Sequence, residues 1–321
     1  MITPDSLDSA RQTILHAQNI VVVSHIRPDG DSIGSILGLG LALEAMGKDV
    51  QMISPDGVPA NFLHLEGTER IKQKTKGEID LAIVVDCSDL SRAGHVLDAY
   101  GAPDINVDHH PGNTQFARIN LINETAVSTT EIIGTNADAL ELPITKLAGQ
   151  GLMLGLITDT IGFRTANMNA NAMRLAASLM DLGVDLPDIY FKVLVERSFP
   201  AIRYWGQGLT NLQREGRLVW TTLSLRDRET ASYPGGDDAD LVSVLSSVND
   251  ADIAVIFIEQ NPERVKVSWR ARPGFDTSQI ARRFGGGGHH AASGAEVEGL
   301  LEEVEEKVLE ATRTLFQKER G

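Results

Sequence analysis

The apolar run Ile20-Val21-Val22-Val23 passes directly into the loop Ser24-His25-Ile26-Arg27-Pro28-Asp29-Gly30-Asp31-Ser32, and this into a small-residue segment at 33–46. The run reads as a buried strand and the segment after the loop as a helix. A strand that leads through a loop into a helix is the repeating unit of an open α/β sheet, which places its ligands beyond the carboxyl ends of the strands. Within seven residues this loop carries one imidazole and two carboxylates, with Gly30 letting the backbone fold tightly between the acids. That grouping suits a divalent cation held through nitrogen and oxygen. Pro-Asp-Gly is also an ordinary turn tripeptide. Pro55-Asp56-Gly57, with no upstream histidine and no second acid, reads as a surface turn of that kind.

The same unit recurs. Residues 50–54, 81–86 and 105–107 are further strand-like runs, and 128–140, 143–157 and 169–182 have helical patterning. This alternation predicts an α/β fold, a doubly wound and mainly parallel sheet over residues 1–185. Residues 186–208, punctuated by Pro187 and Pro200, read as a connector. A smaller α/β domain is expected over 209–321, with strands at 218–225, 253–259 and 265–269 and a turn at 260–263. Helices are expected there at 240–248 and 277–284, and an acidic amphipathic helix at 300–316.

Composition narrows the function classes. A chain of 321 residues with 42% hydrophobic and 23% charged residues is that of a globular protein, with no apolar run of membrane-spanning length and no signal-peptide pattern at its start. The single cysteine, Cys87, rules out an internal disulfide and fits a reducing compartment. Its apolar neighbours predict a packing role, and the cytoplasm is the expected location. A net charge of −15 argues against a long nucleic-acid track or duplex DNA, since binding many phosphates needs a basic surface. A short phosphorylated ligand remains compatible, because bound cations can invert the local sign. Oligomeric state is not legible in the sequence.

Acids follow three of the strand-like runs: Asp29 and Asp31, then Asp86, then Asp108 with His109 and His110. In a parallel sheet those carboxyl ends lie along one edge, so the side chains converge. Asp159, at the end of a helix, is the natural fourth contributor. Five crowded carboxylates repel one another and would have to take up protons unless cations sit among them. The donors exceed the needs of one site, which points to two cations. Absence of a cysteine set argues against structural zinc, and the histidines argue against calcium. Mn²⁺ fits best, with Mg²⁺, Co²⁺ or Zn²⁺ as alternatives. His16, His64 and His95 stand apart from these motifs and read as surface or structural residues.

Ser24 to Ser32, Val85-Asp86, Asp108-His109-His110 and Thr158-Asp159-Thr160 resemble, in order, the successive motifs of the DHH phosphoesterase superfamily. The resemblance implies that His25, Asp29 and Asp86 hold one ion, and that Asp31, Asp86, His109 and Asp159 hold the other, with Asp86 bridging. It implies catalytic roles for Asp108, which would orient a histidine, and for His110, which would face the substrate. Phe284-Gly285-Gly286-Gly287-Gly288-His289-His290 resembles the glycine-histidine motif of the DHH-associated carboxy-terminal domain. Consecutive glycines also let backbone N–H groups approach an anion. The resemblance therefore assigns substrate binding to Gly286, Gly287, Gly288 and His289. In Val267-Ser268-Trp269-Arg270-Ala271-Arg272 the substrate-binding arginine matches Arg270, with Arg272 close by, and Ala271 stands where a serine is usual.

That second domain separates the chain from manganese pyrophosphatases and resembles the nanoRNase and phosphoadenosine phosphatase branch. The implied enzyme is a metal-dependent hydrolase of short oligoribonucleotides, and of 3′-phosphoadenosine 5′-phosphate, with its active site in a cleft between the domains. The alternative is a phosphodiesterase for linear or cyclic dinucleotides such as pApA or cyclic di-AMP. A regulator without activity is disfavoured because every implied ligand is present.

Overall fold

A computed structural model describes residues 2–317, which divide into two compact units, 2–196 and 197–317. The chain is an α/β protein: a parallel-sheet unit followed by a mixed-sheet unit.

The first unit opens with α1 (Pro4–His16), whose capping box pairs Thr3 with Ser6. β1 (Asn19–Val23), α2 (Gly30–Ala45), β2 (Asp49–Ile53), β3 (Leu81–Val85), β4 (Ile105–Asp108) and β5 (Ile119–Ile122) follow. The strands form a five-stranded, all-parallel sheet in the order β2-β1-β3-β4-β5. β5 was not expected: its run is short, is broken by Asn120, and pairs only with β4 at the sheet edge. Side chains alternate between the two faces. Ile20, Val22, Ile83 and Val85 meet the helices, whereas Val21, Val23, Ala82 and Val84 pack with Cys87, Ala93 and Leu97 on the other side.

The helical layer contains α3 (Thr129–Thr135), α4 (Lys146–Asp159), α5 (Ala170–Asp181) and α6 (Leu186–Tyr190), then a π-turn over Phe191–Val195. α3 is capped by Ser128 and is shorter than the patterning at 128–140 suggests. α4 begins at the cap Thr145, leaving Pro143 and Ile144 outside it. α2 is buried from Gly30 to Leu43, as a helix apolar on every side should be. Its glycines let it lie unusually close to α4. A Cβ at Gly34 would sit 2.5 Å from the carbonyl oxygen of Gly151, and one at Gly38 would enter the Leu152 side chain.

The second unit carries α7 (Phe199–Thr210), β6 (Gln213–Glu215), β7 (Leu218–Leu223), α8 (Leu225–Ala231), α9 (Leu241–Leu245), β8 (Ile253–Asn261), β9 (Arg264–Ala271), α10 (Ser278–Arg283), β10 (Gly287–His289), β11 (Ala292–Glu298) and α11 (Leu301–Gln317). Its six strands run β10-β11-β9-β8-β7-β6, parallel only between β7 and β8. β7 ends two residues before the expected limit because Ser224 caps α8, in a reciprocal box with Asp227. α9 starts one residue later than expected, after the left-handed Asp240 (φ 69°), and ends at Leu245, three residues before the expected limit. One sheet face packs Trp220, Phe257 and Trp269 with α10 and α11; the other packs Val219, Ala254 and Ile256 with α7, α8 and α9.

Candidate metal centre

The first loop is shaped by its own hydrogen bonds. Ser24 and Ser32 share one between their hydroxyls at 2.5 Å. Asp29 caps α2, its Oδ1 accepting from the Ser32 N–H at 3.0 Å, and its Oδ2 lies 3.8 Å from His25 Nε2. His25 Nδ1 sits 2.8 Å from the carbonyl oxygen of Ile26. A carbonyl can only accept, so Nδ1 carries the ring proton and Nε2 presents a lone pair. That lone pair lies 3.4 Å from Oδ2 of Asp86, which follows β3 in a left-handed conformation at φ 58°. Such a backbone is uncommon for a residue with a side chain and recurs at functional sites.

A second group gathers around His109, just past β4. Its Nε2 lies 3.2 Å from Asp159 Oδ2 and 3.9 Å from both Asp31 Oδ2 and Asp86 Oδ1. Asp31 sits in the first turn of α2 and Asp159 is the last residue of α4, so the close approach of these helices brings the two acids together. Gly155 of α4 makes this possible. A Cβ there would lie 2.4 Å from Asp31 Oδ1. Asp108 Oδ1 accepts from His110 Nδ1 at 2.7 Å, which leaves His110 3.6 Å from Asp86 Oδ1. Three ligand sets result: His25-Asp29-Asp86, Asp31-His109-Asp159 and Asp86-His109-His110, with Asp86 shared by the first and the third.

The electrostatics of the cluster are those of a site built for positive charge. Burial, and then the fields of neighbouring acids, raise Asp86 well above the usual carboxylate range. Burial and the charge of Asp159 push Asp31 up to about 7. Burial alone would lower His109, but its bond to Asp159 and the charges of Asp31 and Asp159 prevail and lift it to about 9. Burial holds His25 below the ordinary imidazole value. Asp108 is also buried, yet the bonds from His110 and Asn113 hold it below the usual range. His25 Nε2 and Asp86 Oδ2 are both buried without a hydrogen-bond partner in the protein. A lone pair facing a carboxylate oxygen is repulsive unless a cation lies between them. These nitrogen and oxygen donors therefore fit divalent metal ions.

Residues 19–156 match the DHH family, N-terminal domain, and residues 230–318 match the DHHA1 domain. The bifunctional oligoribonuclease and PAP phosphatase NrnA of Thermus thermophilus is 31% identical over 301 residues, covering 92% of this chain and 89% of that protein. The chain belongs to the DHH phosphoesterase family. The NrnA of Mycoplasma genitalium is 28% identical, over 90% of this chain and 92% of its own length. An exopolyphosphatase-related protein from Bacteroides fragilis superposes with a TM-score of 0.90 at 26% identity, covering 99% of this chain and 97% of that one.

In this DHH phosphoesterase the eight expected residues of the first unit, from His25 to Asp159, are neighbours in space. Arg270, Gly286, Gly287, Gly288 and His289 belong to the second unit. There His289 of β10 is in register with Ala292 of β11, and Ala292 with Arg270 of β9. Residues opposite one another in antiparallel strands share a face, so Arg270 and His289 project from the same side with only an alanine between them. Arg270 donates to its neighbour's carbonyl, Trp269, at 3.1 Å, while Arg272 lies beyond β9 and donates to Val248. Gly286 and Gly288 have a packing reason of their own, since a Cβ on either would strike the backbone of β11; a Cβ on Gly287 would be open. His16, His64 and His95 are exposed, and Cys87 is buried.

Sequence reasoning missed Thr129, Thr130 and Asn113. Thr129 and Thr130 donate to Asp31 and Asp86, and Asn113 Nδ2 donates to Asp108 Oδ2 at 2.6 Å. The only signal was the cap pattern Ser128-Thr129-Thr130-Glu131, which marks a helix start but names no partner. Among the described residues no helix is long and apolar enough to cross a membrane.

Proposed function

We propose that this protein hydrolyses short oligoribonucleotides, and 3′-phosphoadenosine 5′-phosphate, at a centre holding two Mn²⁺ ions. The observation that carries the reading is the pair of ligand sets His25-Asp29-Asp86 and Asp31-His109-Asp159, with Asp86 Oδ1 3.9 Å from His109 Nε2, in a chain that matches an NrnA along most of its length. His25, Asp29 and Asp86 would hold one ion; Asp31, Asp86, His109 and Asp159 would hold the other. When bound, paired divalent cations supply Lewis-acid stabilisation of the charge that builds on a phosphoryl group during in-line displacement. Mg²⁺, Co²⁺ or Zn²⁺ would substitute to different extents. The expected location is the cytoplasm, in keeping with a single buried cysteine.

The chain's own residues do the rest. Asp108 accepts the Nδ1 proton of His110, and Asn113 fixes the other oxygen of Asp108. This sets the His110 tautomer and ring plane, so that Nε2 can meet the phosphate or the leaving oxygen. The guanidinium of Arg270 would grip a distal phosphate with two parallel hydrogen bonds, with His289 on the same sheet face.

The test is a panel of substrates with the metal-supplemented chain: pApA, a pentanucleotide, a long single strand, 3′-phosphoadenosine 5′-phosphate, cyclic di-AMP and inorganic pyrophosphate. Rapid turnover of the short oligonucleotides and the bisphosphate, with slow turnover of the long strand, is expected. Equal rates on the long strand and the dinucleotide would overturn the preference for short chains. Release of phosphate from pyrophosphate alone would overturn the substrate class. Arg270→Ala should raise KM for the dinucleotide more than it lowers kcat.

A further inference from the structure

Thr129 makes one bond to each of two buried acids. Its backbone N–H donates to Asp31 Oδ2 at 2.6 Å, and its hydroxyl donates to Asp86 Oδ1 at 3.1 Å. Thr130 donates twice to Asp31 Oδ1, from its N–H at 3.1 Å and its hydroxyl at 2.9 Å. Both threonines are wholly buried, so water does not compete for these bonds. The cap at Ser128 sets the turn that aims the two N–H groups.

Lone-pair counting gives the consequence. Each carboxylate oxygen accepts through two lone pairs. On Asp31 the two Thr130 donors fill Oδ1 and the Thr129 N–H takes half of Oδ2, so one lone pair remains. On Asp86 one lone pair remains at Oδ1, and Oδ2 has no hydrogen-bond partner.

We propose that Thr129 is the positioning residue that joins the two ligand sets, and that together with Thr130 it limits Asp31 and the Oδ1 of Asp86 to a single coordination bond each, so that the centre takes small octahedral cations such as Mn²⁺ in preference to Ca²⁺. The inference rests on the reading of the cluster as a divalent-cation centre. Calcium takes six to eight oxygens and commonly chelates a carboxylate through both of its atoms. An Asp31 with one free lone pair cannot chelate. The Thr129 hydroxyl also stops Asp86 from turning both oxygens to one ion, which keeps one oxygen for each set.

Isothermal titration calorimetry with Mn²⁺ and with Ca²⁺ tests this on the intact chain, its Thr129→Val, Thr129→Ser and Asp86→Ala variants. Thr129→Val keeps the shape and the N–H bond to Asp31 but loses the hydroxyl. It should weaken Mn²⁺ binding about 10- to 100-fold, the usual effect of removing a partner of a metal ligand. Its preference for Mn²⁺ over Ca²⁺ should shrink, and Thr129→Ser should restore both. Unchanged Mn²⁺ affinity and preference in Thr129→Val, beside lost binding in Asp86→Ala, would overturn the role of Thr129 and leave the metal centre standing. A Thr129→Ser variant as weak as Thr129→Val would also overturn it. Undiminished Mn²⁺ binding by Asp86→Ala would instead overturn the metal centre itself. Should Thr129→Val fail to fold, Thr129→Ala is held to the same criteria.

Discussion

Raising the pH of the metal-free protein from 6.5 to 9 should strip stability from the amino-terminal unit, and His109 sets the amount. Its folded value is about 9 against an ordinary 6.5. A group whose folded pKa lies above its unfolded one stabilises fully below the unfolded value, and that stability is lost as pH climbs through the folded value. Over that window the loss is about 3 kcal/mol, at about 1.4 kcal/mol for each unit of pKa. Asp31, raised to about 7, and Asp86, raised well above the usual carboxylate range, work in the same direction. His25 is lowered, so its contribution changes below pH 6.5 and outside this window. For a unit of this size the loss corresponds to a fall in Tm of about 6–12 °C. Cation binding requires the ligands deprotonated, so loading should remove the slope. Scanning calorimetry of chelator-treated and Mn²⁺-loaded chain at pH 6.5 and 9 measures both, and His109→Gln should lessen the metal-free slope. A metal-free Tm that holds level between those two values, or a slope undiminished in His109→Gln, would refute the electrostatic account of the cluster.

Further outcomes follow from the same geometry. Asp86→Asn, which tolerates the left-handed backbone, should lose hydrolysis and the thermal response to metal, yet unfold no more easily than the metal-free parent, because it removes a buried and repelled carboxylate; calorimetry and phosphate release check both. Gly155→Ala puts a methyl 2.4 Å from Asp31 Oδ1 and from Thr130 Oγ1, and should cost about 1–3 kcal/mol while weakening Mn²⁺ binding, as read by denaturant unfolding and calorimetric titration. Gly206→Ala is the control: nothing lies within 4 Å of its added methyl on α7, so it should stabilise the chain by up to about 1 kcal/mol with metal affinity unchanged.

Much of this was legible in the sequence because the determinants were local. β1, β3 and β4 are apolar runs that each end at or just before a motif residue, and parallel pairing alone then brings His25, Asp86 and His109 to one edge of the sheet. Asp159 was harder, since a helix end has no fixed place relative to a sheet. Its position depends on Gly34, Gly38, Gly151 and Gly155, which let α4 lie against α2. In the sequence these glycines look like poor helix formers, and their purpose shows only when the opposing backbone is in view. β5 and β10 were missed for the opposite reason, being short, glycine- or asparagine-bearing and held by pairing rather than propensity.

The two threonines that sequence reasoning could not find share one property: each acts on a partner far along the chain. Thr129 and Thr130 are 98 and 99 positions from Asp31, and Thr129 is 43 from Asp86. A motif search finds the atoms that would touch a cation, because the chemistry restricts them to a few residue types. It does not find the donors that fix the direction of those atoms, because any N–H or hydroxyl will serve. The cluster is nevertheless unstable as a set of charges without such donors, as the raised Asp31 and the unpartnered oxygen of Asp86 show. Three donor bonds reach Asp31 and one reaches Asp86, so Asp86 keeps more free lone pairs for the bridging role proposed for it. That asymmetry, more than the count of acids, is what sets Asp86 apart within the cluster.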